Sequence, residues 1–202
     1  SAYVWDVRGQ KPLFQKSATE VLPLASITKL MTAMLAHELV SGDTEGTITT
    51  NALRQDGSTG LEEGERLTLK SLSRLSLISS SNDAAYALAA NVGSSLGKRD
   101  PAAQFISGMN IRAEELGLDT LNFKNPTGLD VSVTEPGAIG SAQDVSLLME
   151  FILKNYPEIL EPTQDSAARV YNTSGQFHDV ENTNDALYAI PNLLGSKTGY
   201  TD

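Results

Sequence analysis

Ser26-Ile27-Thr28-Lys29 is the first stretch whose residue types could do chemistry. Residues three apart on a helix share a face, so a helical Lys29 reaches the Ser26 hydroxyl. A serine becomes nucleophilic at neutral pH only beside a base. Lysine can be that base if its pKa falls, which burial and a second nearby cation both promote. A helix N-terminus also offers free backbone N–H groups to a developing oxyanion. The chemistry expected is acyl transfer through a serine ester. The competing reading is structural, because a serine in front of a helix is commonly its N-cap.

Two further stretches could contribute. Ser80-Ser81-Asn82 lies in a polar gap between two helical segments. Asn82 is either the N-cap of the second helix or, with Ser80, part of a site. In the second case Ser80 relays a proton and Asn82 hydrogen-bonds a substrate amide or Lys29. Lys197-Thr198-Gly199 ends a β-like run. A lysine beside a threonine hydroxyl can hold a substrate carboxylate, and glycine lets another segment come close. The same tripeptide also reads as a plain turn.

The elements that must position these residues are mixed. Ala2 to Val7 and Pro12 to Phe14, with a turn at Arg8 to Lys11, read as a hairpin. Ser26 to about Val40 reads as a helix apolar around most of its circumference, hence buried, with Gly42 just past its end. Thr47-Ile48-Thr49 and Arg66 to Leu69 read as short strands. Leu72, Leu75, Leu77 and Ile78 mark a helix that ends in the serine run, and Asp83 to about Val92 is a second. Asp100-Pro101 opens a helix that stops near Gly117, and Ser141-Ala142-Gln143-Asp144 reads as a capping box. Ile190 to Lys197 reads as a strand interrupted by Pro191. Without regular strand–helix alternation, these elements predict α+β layering.

Composition narrows the functions. The net charge of -10 disfavours nucleic acid as a partner. With no cysteine there is no disulfide, thiolate metal site or cysteine nucleophile. His37 and His178 are the only histidines, which nearly excludes a metal centre built on imidazoles. Both read as structural or surface residues. No cofactor is implied. No apolar run is long enough to span a membrane. The chain opens on a strand-like segment, so any targeting sequence is expected to have been removed or never to have existed. Asn172-Thr173-Ser174 fits a glycosylation sequon, a common triplet.

The order Ser-x-x-Lys, Ser-x-Asn, Lys-Thr-Gly resembles the signature of the penicillin-binding proteins and serine β-lactamases. The surrounding text resembles one branch, the low-molecular-weight D-alanyl-D-alanine carboxypeptidases. Leu24 to Ala33, Leu77 to Ala85, Asn125-Pro126-Thr127-Gly128-Leu129-Asp130, Ser141 to Asp144, Asn182-Thr183-Asn184 and Gly195 to Thr201 carry the likeness, which covers nearly the whole chain. It implies a β-lactamase/transpeptidase-like α/β fold, an antiparallel sheet flanked by helices. A helical subdomain would be inserted over roughly residues 43–185 of a catalytic domain spanning 1–202. It implies that Ser26 attacks the carbonyl between the terminal D-alanines of a peptidoglycan stem peptide, with Lys29 as base. Ser80 and Asn82 would line the opposite wall. Lys197 and Thr198 would hold the terminal carboxylate, and the N–H groups of Ser26 and Tyr200 the oxyanion, beside Gly199. β-Lactams would trap the same serine. The location implied is extracytoplasmic, in the periplasm or on the cell-wall side of a bacterial membrane.

The family fold continues beyond the third motif with two more strands and a helix, whereas this sequence ends at Asp202. An uncovered sheet edge and apolar face are therefore expected. A further C-terminal segment or a partner fragment would cover them. A serine β-lactamase shares the three motifs, but the Glu-x-x-Leu-Asn stretch of its class A members is missing, so it stands second. A catalytically impaired peptidoglycan- or β-lactam-binding fragment stands third. No His-Glu-x-x-His pattern supports a metal-dependent hydrolase.

Overall fold

The structure, a computed structural model, describes residues 1–57, 60–97 and 99–200. The chain begins with antiparallel strands β1 (Ala2–Asp6) and β2 (Lys11–Lys16). Their register shifts between Val4 and Trp5, where Pro12, which has no N–H for the ladder, stands opposite Trp5. Trp5 Nε1 donates to the Glu150 carboxylate at 2.7 Å and fastens this hairpin to a helix 145 residues on. Strand β3 (Leu22–Pro23) leads into a 3-10 turn, Ala25–Thr28, and then helix α1 (Lys29–Leu39).

Helix α1 is buried from Lys29 to Ala36. The apolar circumference foreseen from Leu30, Met31, Met34 and Leu35 is packed on all sides. Helices α2 (Leu69–Ile78), α3 (Asn82–Leu96), α4 (Pro101–Glu115) and α5 (Ala142–Asn155) all contact it. Between α1 and α2 run the paired strands β4 (Glu45–Thr47) and β5 (Arg66–Thr68). Strands β6 (Asn122–Phe123) and β7 (Ala138–Gly140) join β3 in the order β3-β7-β6. A short α6 (Pro157–Leu160) precedes the hairpin of β8 (Ala167–Tyr171) and β9 (Phe177–Glu181). The fold is thus mixed α/β, with small antiparallel sheets around a helical core.

Local chemistry explains the helix ends. Asp100 caps α4 through the Ala103 N–H at 3.2 Å. At its other end Gly117, with φ +69°, closes a Schellman motif: Gly117 N–H bonds Glu114 C=O and Leu118 N–H bonds Ala113 C=O. Ser141 caps α5 through the Asp144 N–H, but the capping box is only half formed. Asp144 turns instead to the Thr120 N–H and hydroxyl, and Thr120 in turn receives the Ser141 N–H.

Two expectations change. The helix foreseen from Ser26 starts as a 3-10 turn and becomes α-helical only at Lys29. Residues 190–197 form no strand; a 3-10 turn at Leu187–Ala189 precedes a turn at Pro191–Asn192, with Asn192 at φ +54°, and then an irregular segment. Its backbone is met by side chains of the loop after α6, with Gln164 donating to Leu194 C=O and Ser196 N–H to the Thr163 hydroxyl. An apolar alternation makes a strand only where a ladder partner lies alongside, and no described residue provides one. An apolar trough of about 420 Å³ is lined by β1, α5, Ile27, Leu30 and Lys197.

Both histidines are paired. His178 bonds Glu65 at 2.6 Å, and His37 lies 3.2 Å from Glu158. Asn172 of the sequon is buried, its amide nitrogen committed to Glu65 and Gln176. No described helix is long and apolar enough to cross a membrane.

Candidate active site

Ser26 sits in the 3-10 turn between Leu24 and α1. The turn is entered through Ala25 at φ +46°, a left-handed conformation that costs a non-glycine residue about 1–3 kcal/mol. Neighbours hold it there. Leu24 N–H bonds Ala138 C=O of β7, and Ile27 N–H returns to Leu24 C=O. On the other side Gly128 presses against Ala25, where any Cβ would lie 1.8 Å from the Ala25 oxygen. Ser26 makes no capping bond: neither the 3-10 turn nor α1 has a side-chain cap at its start. The N-cap reading of Ser26 falls.

Lys29 is 0% exposed and its amine has three partners, each at 2.7 Å: Ser26 Oγ, Asn82 Oδ1 and the Thr127 carbonyl. Burial, and after it the charge of Lys197, pulls its pKa from 10.5 down to about 6. The amine is therefore mostly neutral at pH 7. A neutral amine has two hydrogens and one lone pair. Asn82 Oδ1 and the Thr127 carbonyl can only accept, so they take the hydrogens. The lone pair is left facing the Ser26 hydroxyl, the arrangement a general base requires.

Asn82 can hold that orientation because it is not the N-cap of α3. Ser81 is, accepting from the Ala84 N–H at 3.0 Å. The Asn82 amide is fixed instead by donating to Asp56 C=O at 2.6 Å. Ser80, between α2 and α3, has φ +59°. The serine run thus turns sharply and points Ser80 Oγ to Lys197, which donates to it at 2.9 Å.

Lys197 also donates to Thr198 C=O at 2.7 Å, and burial lowers its pKa from 10.5 to about 8. It remains largely charged at pH 7. The two lysines divide their roles: one a neutral base, the other a cation. Thr198 Oγ1 shares a hydrogen bond with Thr183 Oγ1. Gly199 lies against the nucleophile turn, where a Cβ would come 3.0 Å from Leu24 C=O. The Tyr200 side chain is 85% exposed, and Thr201 lies outside the described residues.

The fold therefore forms two hydrogen-bonded groups, Ser26–Lys29–Asn82 and Ser80–Lys197–Thr198, close enough for the Lys197 charge to act on Lys29, with Gly199 against the nucleophile turn. Sequence reasoning assigned no role to the Thr127 carbonyl or the Thr183 hydroxyl. A backbone carbonyl leaves no residue-type signal, although the Asn-Pro-Thr-Gly turn around Thr127 was visible.

Comparisons with known proteins identify the family and the fold. The sequence matches the family described as D-alanyl-D-alanine carboxypeptidase over residues 1–202. It is 34% identical over 197 residues to the D-alanyl-D-alanine carboxypeptidase DacF of Bacillus subtilis, covering 95% of this chain and 48% of that protein. It is 28% identical over 208 residues to a D-alanyl-D-alanine endopeptidase of Escherichia coli, covering 100% of this chain and 63% of that one. The chain thus spans about half the length of DacF. Its fold matches ampicillin-bound penicillin-binding protein D2 of Listeria monocytogenes with a TM-score of 0.81 at 30% identity, covering 99% of this chain and 78% of that one.

Proposed function

We propose that this chain, which belongs to the D-alanyl-D-alanine carboxypeptidase family, removes the terminal D-alanine of peptidoglycan stem peptides through a Ser26 acyl-enzyme. The observation that carries the reading is the Lys29 amine, held by two acceptor-only oxygens with its third position on Ser26.

In the first step Ser26 Oγ attacks the carbonyl of the penultimate D-alanine while its proton passes to Lys29 Nζ. The Ser26 and Tyr200 N–H groups stabilise the oxyanion. Lys197 and Thr198 hold the terminal carboxylate, with the Thr183 hydroxyl beside Thr198. The C–N bond then breaks, and D-alanine leaves as its nitrogen takes the equivalent of the proton Lys29 received, relayed through Lys197 and Ser80, so that Lys29 is neutral again. In the second step water attacks the ester and gives its proton to Lys29. The carboxylate product leaves and Ser26 recovers its hydrogen. A β-lactam meets the same serine, and its opened ring stays attached. The helical part, roughly residues 43–185, supplies Ser80 and Asn82 as one wall of the cleft. The substrate places the enzyme outside the cytoplasm.

The test is release of D-alanine from a diacyl-L-Lys-D-Ala-D-Ala peptide. Wild type should release it and Ser26→Ala should not; no release by well-folded wild type contradicts the proposal.

A further inference from the structure

The Thr127 carbonyl is the least ordinary partner of Lys29, because a backbone group points correctly only if its loop does. Asn125 sets that loop. Its Oδ1 accepts from three donors: Thr127 N–H at 3.2 Å, Thr127 Oγ1 at 3.0 Å and Gly128 N–H at 2.7 Å. Its Nδ2 donates to Leu129 C=O at 2.7 Å. One side chain thus holds the Gly128 N–H of the peptide plane whose oxygen faces Lys29, and also Thr127 itself through the N–H of the preceding plane and the hydroxyl. One glycine makes room for this side chain and another for the loop it holds. At Gly137 a Cβ would lie 2.5 Å from Asn125 Nδ2, and at Gly128 a Cβ would strike Ala25 beside the nucleophile. Thr32 of α1 adds a bond to Pro126 C=O at 2.8 Å, so the loop is fixed to the helix that carries Lys29.

We infer that Asn125 is a positioning residue of this active site, acting through the Thr127 carbonyl to keep the Lys29 amine dry and aimed at Ser26. The inference rests on the proposed acyl-enzyme chemistry for its consequence, but not for its geometry. Burial is the largest cause of the lowered Lys29 pKa. A loosened loop admits water there, so the pKa rises even though an acceptor is lost.

The experiment titrates the Lys29 Cε resonance in protein labelled with ¹³C-lysine, the signal being identified by its loss in Lys29→Met. Wild type, Asn125→Ala and Asn125→Ser are compared, and acylation by a fluorescent penicillin is followed in parallel. In Asn125→Ala the midpoint should rise by about one pH unit or more and acylation at pH 7 should fall about 10- to 100-fold. Asn125→Ser keeps one acceptor for the turn and should fall between. An unmoved midpoint in whichever variant folds overturns the inference, even if acylation slows. If wild type is not acylated, the functional reading fails while the titration still judges Asn125.

Discussion

The 2.7 Å hydrogen bond from Lys29 Nζ to Asn82 Oδ1 runs in only one direction, because Asp56 C=O holds the other end of the Asn82 amide. A carboxylate at position 82 would accept the same bond and add a charge that favours the ammonium form. Asn82→Asp should raise the Lys29 pKa by about 1–3 pH units. Acylation by penicillin at pH 7 should fall about 10-fold or more and recover at alkaline pH. A rate profile measured against pH checks this.

The wild-type profile should itself be a bell. Below about 6 Lys29 carries a proton and cannot take another from Ser26. Above about 8 Lys197 loses the charge that holds a carboxylate. Lys197→Met should remove the alkaline limb. It should also raise the acid limb, but less than Asn82→Asp does, since burial rather than Lys197 is the main cause of the low Lys29 pKa. The second-order acylation constant from pH 5 to 10 is the measurement.

Stability should also depend on Lys29. The folded amine titrates near 6 and the unfolded one near 10.5, so between these values the unfolded chain binds the extra proton. Stability against unfolding therefore rises with pH across this window. Below about 6 both states are protonated and the Lys29 contribution is flat. Comparing urea unfolding of wild type and Lys29→Met should show an excess wild-type slope of up to about 1.4 kcal/mol per pH unit.

Gly128→Ala should damage the fold and the site together. Its φ of +82° disfavours a side chain, and the new Cβ would lie 1.8 Å from the Ala25 oxygen. Either the Thr127 carbonyl or the Ser26 turn must move. Thermal unfolding should fall by about 5 °C or more, and acylation of the folded fraction should slow.

Much of this site is written in the sequence, and the reason is local. Ser26 and Lys29 are three residues apart, and Ser80, Asn82 and Lys197 declare themselves by side-chain type. What is not legible depends on backbone geometry or on distant partners. Ser81 rather than Asn82 caps α3, a choice between adjacent polar residues that the left-handed Ser80 decides. Asp144 leaves its capping box because Thr120, 24 residues away, offers two donors. Residues 190–197 have the composition of a strand, but the contacts around them come from the Thr163 loop. The Thr127 oxygen carries no residue signature at all.

The central claim is that Ser26, activated by Lys29, is the nucleophile. Mass spectrometry of the penicillin-treated chain tests it most directly. One penicillin should be found per chain, on the peptide containing Ser26, with none in Ser26→Ala and little in Lys29→Met. A folded wild type that stays unlabelled, or carries the adduct on another residue, would contradict the account.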